Sequence, residues 1–137
     1  MASDAPRTLL IATDLTAACD AVVRAAGALA LQTGAELHVV HVVEGGGGEA
    51  AEEALAEQLA RSLPAGVEPA SREVRTGPVH QAIRERAAET AADLLVFGPH
   101  GGSAAEAHFL GSTADRLLRT SRIPCLVVRG DLHLPLR

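Results

Sequence analysis

The chain has 137 residues, a formal net charge of −5 and an apolar share of 47%, which is one domain's worth and enough to bury a core. With two Phe and no Trp or Tyr, the core is aliphatic and no aromatic platform for single-stranded nucleic acid exists, nor is any window basic enough to leave a footprint on DNA or RNA. All 12 cationic side chains are Arg, which excludes any mechanism built on a catalytic or phosphate-binding Lys.

Residues 8–13 (TLLIAT) form a continuous apolar run, as a strand buried on both faces requires. Residues 16–33 place Val22, Ala25, Ala26, Leu29 and Ala30 on one helical stripe, with Thr16 the expected N-cap and Gly34 the stop. Residues 36–43 (ELHVVHVV) read as a second strand, and the glycine run 45–48 as a flexible connector. Residues 49–63 carry Leu55, Leu59 and Leu63 four apart, with acids in the first turns that suit the helix dipole and a solvated acidic face. Residues 67–75 are a weaker strand, and Pro69 argues that it lies at a sheet edge. Gly77-Pro78 opens a helix to about Thr90. Residues 93–97 (DLLVF) are again apolar. A glycine-rich loop follows from Gly98, then a helix over residues 112–121 and a last strand over 124–129 (PCLVVR).

The order β-α-β-α-β-α-β-loop-α-β implies an α/β fold: an open parallel five-stranded sheet with helices on both faces, Rossmann-like, with right-handed crossovers. The two continuously apolar runs belong in the centre and the Pro-interrupted one at an edge, which the strand order 3-2-1-4-5 satisfies. The topological switch point then falls between the first and fourth strands, and ligands bind at the carboxyl ends beside it. Asp14 and Gly98 are brought together there. Cys19 and Cys125 are too few for a disulfide framework and read as small buried hydrophobes. Residues 1–7 lack the apolar stretch of a signal peptide, and no run is long enough to span a membrane. The expectation is a cytoplasmic protein, a single domain over residues 1–137.

The loop reads Gly98-Pro99-His100-Gly101, nine residues, then Gly111-Ser112-Thr113. Glycines let backbone amides approach phosphate oxygens, and the helix that starts at Ser112 offers unpaired N–H groups and a positive dipole end. The same residues are compatible with an ordinary loop capped by Ser112.

Gly98-x2-Gly101-x9-Gly111-Ser112 resembles the ATP-binding signature of universal stress proteins. The resemblance runs from about Arg7 to Arg129: Ile11-Ala12-Thr13-Asp14, residues 37–42, Gly77-Pro78 and residues 124–128 fall in register with the family's landmarks. It implies an adenine-nucleotide-binding module (ATP, or AMP/ADP) acting in stress response or signalling with little or no turnover. Ala12, Thr13, Asp14 and Val42 would lie around adenine and ribose, Gly98 near the ribose, and Gly101, Gly111, Ser112 and Thr113 around the phosphates. His100, within the loop, is compatible with a phosphate contact or with facing solvent. Two departures weaken the phosphate grip: Pro99 has no N–H to donate, and Gly102 stands where many relatives carry Arg or Lys. Mg²⁺ or Mn²⁺ is expected to neutralise the remaining charge. The resemblance also implies a homodimer through the last strand, Pro124 to Arg129, whose apolar edge lacks a guarding Lys.

A Walker-type P-loop and a response regulator both need a Lys this chain lacks. The glycine-free turn after the first strand argues against a dinucleotide-binding protein, and the scarcity of aromatics against a flavodoxin. His38 and His41 point to opposite strand faces and cannot chelate one metal; His41 reads as a hydrogen-bonded structural side chain. Asp14 reads as a ligand contact or a turn residue. Asp14 and His100 are the only candidates for a general base. A slow ATPase or self-phosphorylating protein, and a dimeric scaffold without nucleotide, remain as alternatives.

Overall fold

The structure, a computed structural model, describes residues 5–99 and 110–130. Nine elements alternate along them: β1 (Thr8–Ala12), α1 (Ala18–Thr33), β2 (Glu36–Val43), α2 (Gly48–Ser62), β3 (Ser71–Thr76), α3 (Val79–Thr90), β4 (Leu94–Phe97), α4 (Ser112–Thr120) and β5 (Cys125–Val127). The five strands form one parallel sheet in the order β3-β2-β1-β4-β5. Thr8 is in register with Glu36 of β2, and Leu9 with Leu94 of β4. The central position of β1 explains its unbroken apolar run: Leu9, Leu10 and Ile11 are each 0% exposed.

Alternation along the strands divides the core in two. Leu9, Ile11, Leu37 and Val39 pack with Val22, Val23 and Ala26 of α1 and Leu55 and Leu59 of α2. Leu10, Val40, Val42, Leu95 and Phe97 pack with Ala82 and Ile83 of α3 and Ala114 and Leu117 of α4. Each fully buried aliphatic side chain contributes about 1.5–3 kcal/mol. The Asp93 carboxylate accepts the N–H groups of Arg7 (3.0 Å) and Thr8 (3.1 Å), tying the start of β1 to that of β4. Gly27 of α1 sits against the chain leaving α2, where a Cβ would lie 2.5 Å from Pro64 Cδ.

Several boundaries differ from the sequence expectation. α1 begins at Ala18 with Ala17 as its N-cap and no side-chain cap, because Thr16 is used elsewhere: its N–H (2.9 Å) and hydroxyl both donate to Asp14 Oδ1. Gly34 does end the helix, at φ +74°, with its N–H on Ala30 O. β3 starts at Ser71, so Pro69 precedes the edge strand and does not interrupt it; the Val67 N–H turns back onto Pro64 O and the chain joins β2 only when the Ala70 N–H reaches Leu37 O. The N-cap of α4 is Gly111, not Ser112, and no side chain caps it. Cys125 is only partly buried, unlike Cys19.

The two sheet edges differ in character. On β3, Arg75 pairs with Glu73 (3.1 Å) and with Glu89 of α3 (2.6 Å). Arg86 Nε lies 3.0 Å from Glu73 Oε1 as an ion pair, outside hydrogen-bond alignment. On β5 the outward residue is Leu126, 38% exposed.

Candidate functional site

The carboxyl ends of β1, β2 and β4 and the first turn of α4 enclose a cavity of about 190 Å³. Ala12, Thr13 and Asp14 reach it from the end of β1, Val42 from β2, Gly98 from β4 and Thr113 from α4. Six of the ten residues singled out in the sequence thus face one space, at the switch point that the strand order dictates. Gly111 and Ser112 do not line it. The Gly111 N–H donates to Pro99 O at 2.6 Å, and Ser112 is the exposed first residue of α4. His100 and Gly101 lie outside the described residues, as does Gly102.

The floor is apolar: Val40, Phe97, Ile83 and Leu117 all border it. The α4 end is polar in a different way. The first N–H groups of a helix have no partner within it, so those of Ser112, Thr113 and Ala114 give this wall a positive character. The β1–α1 segment supplies the opposite wall and is held by its own side chains. Thr13 Oγ1 accepts the Leu15 N–H (3.0 Å), and the Asp14 carboxylate gathers Thr16. Leu15 stands at φ +70°, a conformation that costs a non-glycine residue about 1–3 kcal/mol and persists only where the surroundings impose it.

Two wall residues were not assigned to the site from sequence. His41 was read as a structural, hydrogen-bonded side chain and is one: its Nδ1–H donates to Thr13 O at 2.8 Å, which fixes the tautomer, yet it also borders the cavity. Cys19 borders it too. Burial pushes its thiol up to about 12, against a lowering contribution from the Asp14 N–H on its sulfur (3.5 Å). The thiol is therefore neutral and unreactive near pH 7. Among the described residues no group of three or more His, Cys, Asp or Glu is placed to hold a metal ion.

Larger hollows lie elsewhere. One of about 570 Å³ opens between the last turns of α3 and α4, beside Arg84 and Arg122, and one of about 1060 Å³ flanks the α2–β3 turn. The first faces helix carboxyl ends, whose dipoles disfavour an anion; the second is a shallow surface trough without a helix amino terminus. Size alone does not mark the site; the convergence of strand ends and a helix start does.

A doubly wound parallel sheet with a small cavity at its switch point defines an α/β domain of the Rossmann-like class. The chain belongs to the universal stress protein family, whose model matches residues 6–129. It is similar to a universal stress protein solved in complex with cAMP (25% identity, 93% of this chain and 100% of that one, TM-score 0.75). It is also similar to a universal stress protein family member from Burkholderia pseudomallei (26% identity, 94% and 100%, TM-score 0.72). A universal stress protein from Archaeoglobus fulgidus, solved in complex with dAMP, shares the fold at 23% identity (88% and 96%, TM-score 0.67). No curated protein matches the sequence. Among the described residues no helix is long and apolar enough to cross a membrane.

Proposed function

We propose that this protein is an adenine-nucleotide-binding module that takes ATP, ADP or AMP with little or no turnover, its 137 residues acting as one domain in a cytoplasmic stress or signalling response. The observation that carries the reading is the meeting of Asp14, Gly98 and Thr113 around one cavity. Its volume is below the ~300–1,000 Å³ of a usual ligand cleft, which suits a base and sugar held inside and phosphates held outside. Ala12, Thr13, Asp14 and Val42 take the adenine and ribose, Gly98 the ribose, and Gly101, Gly111, Ser112 and Thr113 the phosphates. Because the Gly111 N–H is engaged by Pro99, the α4 amides are the donors at that end. Mg²⁺ or Mn²⁺ neutralises a di- or triphosphate there. The relative solved with cAMP supports an adenine ligand.

The low-turnover reading draws on Asp14, one of the two general-base candidates, His100 lying outside the described residues. A general base must reach an attacking water, and Asp14 Oδ1 is already occupied by Thr16. The exposed β5 edge supports pairing of two copies through Pro124 to Arg129. Titration calorimetry with ATP and AMP, each with Mg²⁺, tests the binding: both bind, with ATP favoured by no more than about one to two decades, the worth of a single charge-assisted contact. No heat and no competition up to millimolar nucleotide overturns the reading and leaves a nucleotide-free scaffold.

A further inference from the structure

Gln58 of α2 is 0% exposed, yet it is polar and lies between Leu55 and Leu59 on the apolar stripe of its helix. Its amide is spent on the segment that walls the cavity. Oε1 accepts from Thr13 Oγ1 at 2.6 Å, while Nε2 donates to Thr16 O at 3.0 Å and to Asp20 Oδ1 at 3.0 Å. Thr13 Oγ1 passes the contact on by accepting the Leu15 N–H, at the residue held in the left-handed conformation. Arg61, also on α2, grips the Asp20 carboxylate through Nε (3.2 Å) and Nη2 (3.0 Å). Burial opposes ionisation of Asp20, but the hydrogen bonds from Arg61 and Gln58 outweigh it and hold the carboxyl below its usual range. The turn that contacts the cavity is therefore fastened to α2 at Thr13 and Thr16, and the first turn of α1 behind it at Asp20.

We propose that α2 regulates the nucleotide site through Gln58, so that docking of α2 and occupation of the cavity are coupled. Gln58 is a positioning residue: it touches no ligand and acts through Thr13 and Thr16. The proposal rests on the reading of the cavity as a nucleotide site. Without Gln58 the turn keeps its own hydrogen bonds but loses its tie to α2, and binding must then order it more fully at the expense of affinity. Coupling is reciprocal, so a ligand that needs the ordered turn stabilises the docked helix by the same factor.

The experiment compares wild type, Gln58→Leu, Thr13→Val and the double variant by calorimetry with ATP and Mg²⁺, and follows amide hydrogen exchange over residues 49–62 with and without saturating ATP. Gln58→Leu is expected to weaken ATP about tenfold or more, the scale of a lost buried hydrogen-bonding group. In the Thr13→Val background it is expected to weaken ATP less than it does in wild type, since the Thr13 contact is already gone and only those to Thr16 and Asp20 remain to be lost. ATP slows exchange in α2 of wild type, and slows it less in Gln58→Leu at equal saturation. Should Gln58→Leu fail to fold, Arg61→Ala loosens the same clamp from a half-exposed position and weakens ATP in the same direction. Wild-type affinity in Gln58→Leu, or α2 exchange in wild type that is indifferent to ATP, overturns the coupling while leaving the nucleotide site standing. No ATP binding by wild type removes the site and the coupling together.

Discussion

The N–H of Gly111 donates to the carbonyl of Pro99 at 2.6 Å, so the chain leaves β4 and re-enters at α4 from a single point. The glycine loop is closed at its base by a protein–protein hydrogen bond before any ligand arrives. Of the two glycines that bracket the motif, Gly98 borders the cavity and Gly111 donates the hydrogen bond at the base of the loop. In the proposed nucleotide site the α4 amides are then the phosphate donors at that end.

A negative charge introduced at that helix start separates binding from stability. Thr113→Asp adds a carboxylate in the first turn of α4, which favours the helix by about 0.3–1 kcal/mol through the dipole. The same carboxylate faces the space meant for phosphate. The expected outcome is a thermal midpoint equal to or above wild type, with affinity for ATP and AMP at least about tenfold weaker. Unchanged affinity by calorimetry would show that the phosphates lie elsewhere.

Gly27 tests the packing of α1 against the end of α2. Alanine is intrinsically better than glycine in a helix by about 1 kcal/mol, but here its Cβ meets the rigid Pro64 ring at 2.5 Å and Leu63 Cδ2 at 3.0 Å. Overpacking costs about 1–3 kcal/mol, so Gly27→Ala is expected to lower the urea midpoint. In a Pro64→Ala background the ring is gone and the same substitution becomes neutral or stabilising. A rise in midpoint for the single variant contradicts the contact.

Acid sensitivity is assigned to the β1–β4 tie. The Arg7 N–H on the Asp93 carboxylate, aided by Thr8 and opposed by burial, lowers its pKa. A carboxyl lowered in the folded state binds fewer protons there than when unfolded, so its stabilisation is present above the unfolded value of about 3.9 and fades as pH falls through the folded value. Asp93→Asn should lower stability at pH 6 and shrink the loss between pH 6 and pH 3. Asp20, lowered by Arg61 and Gln58, shares that window, so the loss shrinks without vanishing. Equal losses for variant and wild type, read as urea midpoints, refute the assignment.

Leu126 addresses the proposed pairing through β5. Its side chain is exposed and its backbone is in register with Val96, so Leu126→Glu places a charge at the edge without disturbing the core. Light scattering at micromolar concentration should give a dimer mass for wild type and a monomer mass for the variant, with unchanged circular dichroism. A monomeric wild type removes the pairing.

The order of the strands was legible because burial on two faces leaves a signature in β1, and because Pro69, which lies just ahead of β3, pointed to an edge there. From that order the meeting of Asp14 and Gly98 follows geometrically. Gln58 was not legible. A Gln beside Leu59 in a helix reads as a flank of the apolar stripe, and only the approach of α2 to Thr13, 45 residues away, gives its amide partners. Cys19 and His41 entered the cavity wall for the same reason: their role depends on which elements close around the strand ends. The cap of α1 was misplaced because the Thr16 hydroxyl had a competing acceptor in Asp14, a local choice that composition does not decide.

The contrast between the two sheet margins limits how copies of this chain can add to one another. One margin carries interlocked Arg and Glu side chains that an incoming strand would have to desolvate, whereas the other, among the described residues, presents Leu126 at a sheet edge. A sheet that can grow at only one margin stops growing once two such margins have met. In the proposed pairing through β5, strand addition therefore ends in a closed, two-fold pair.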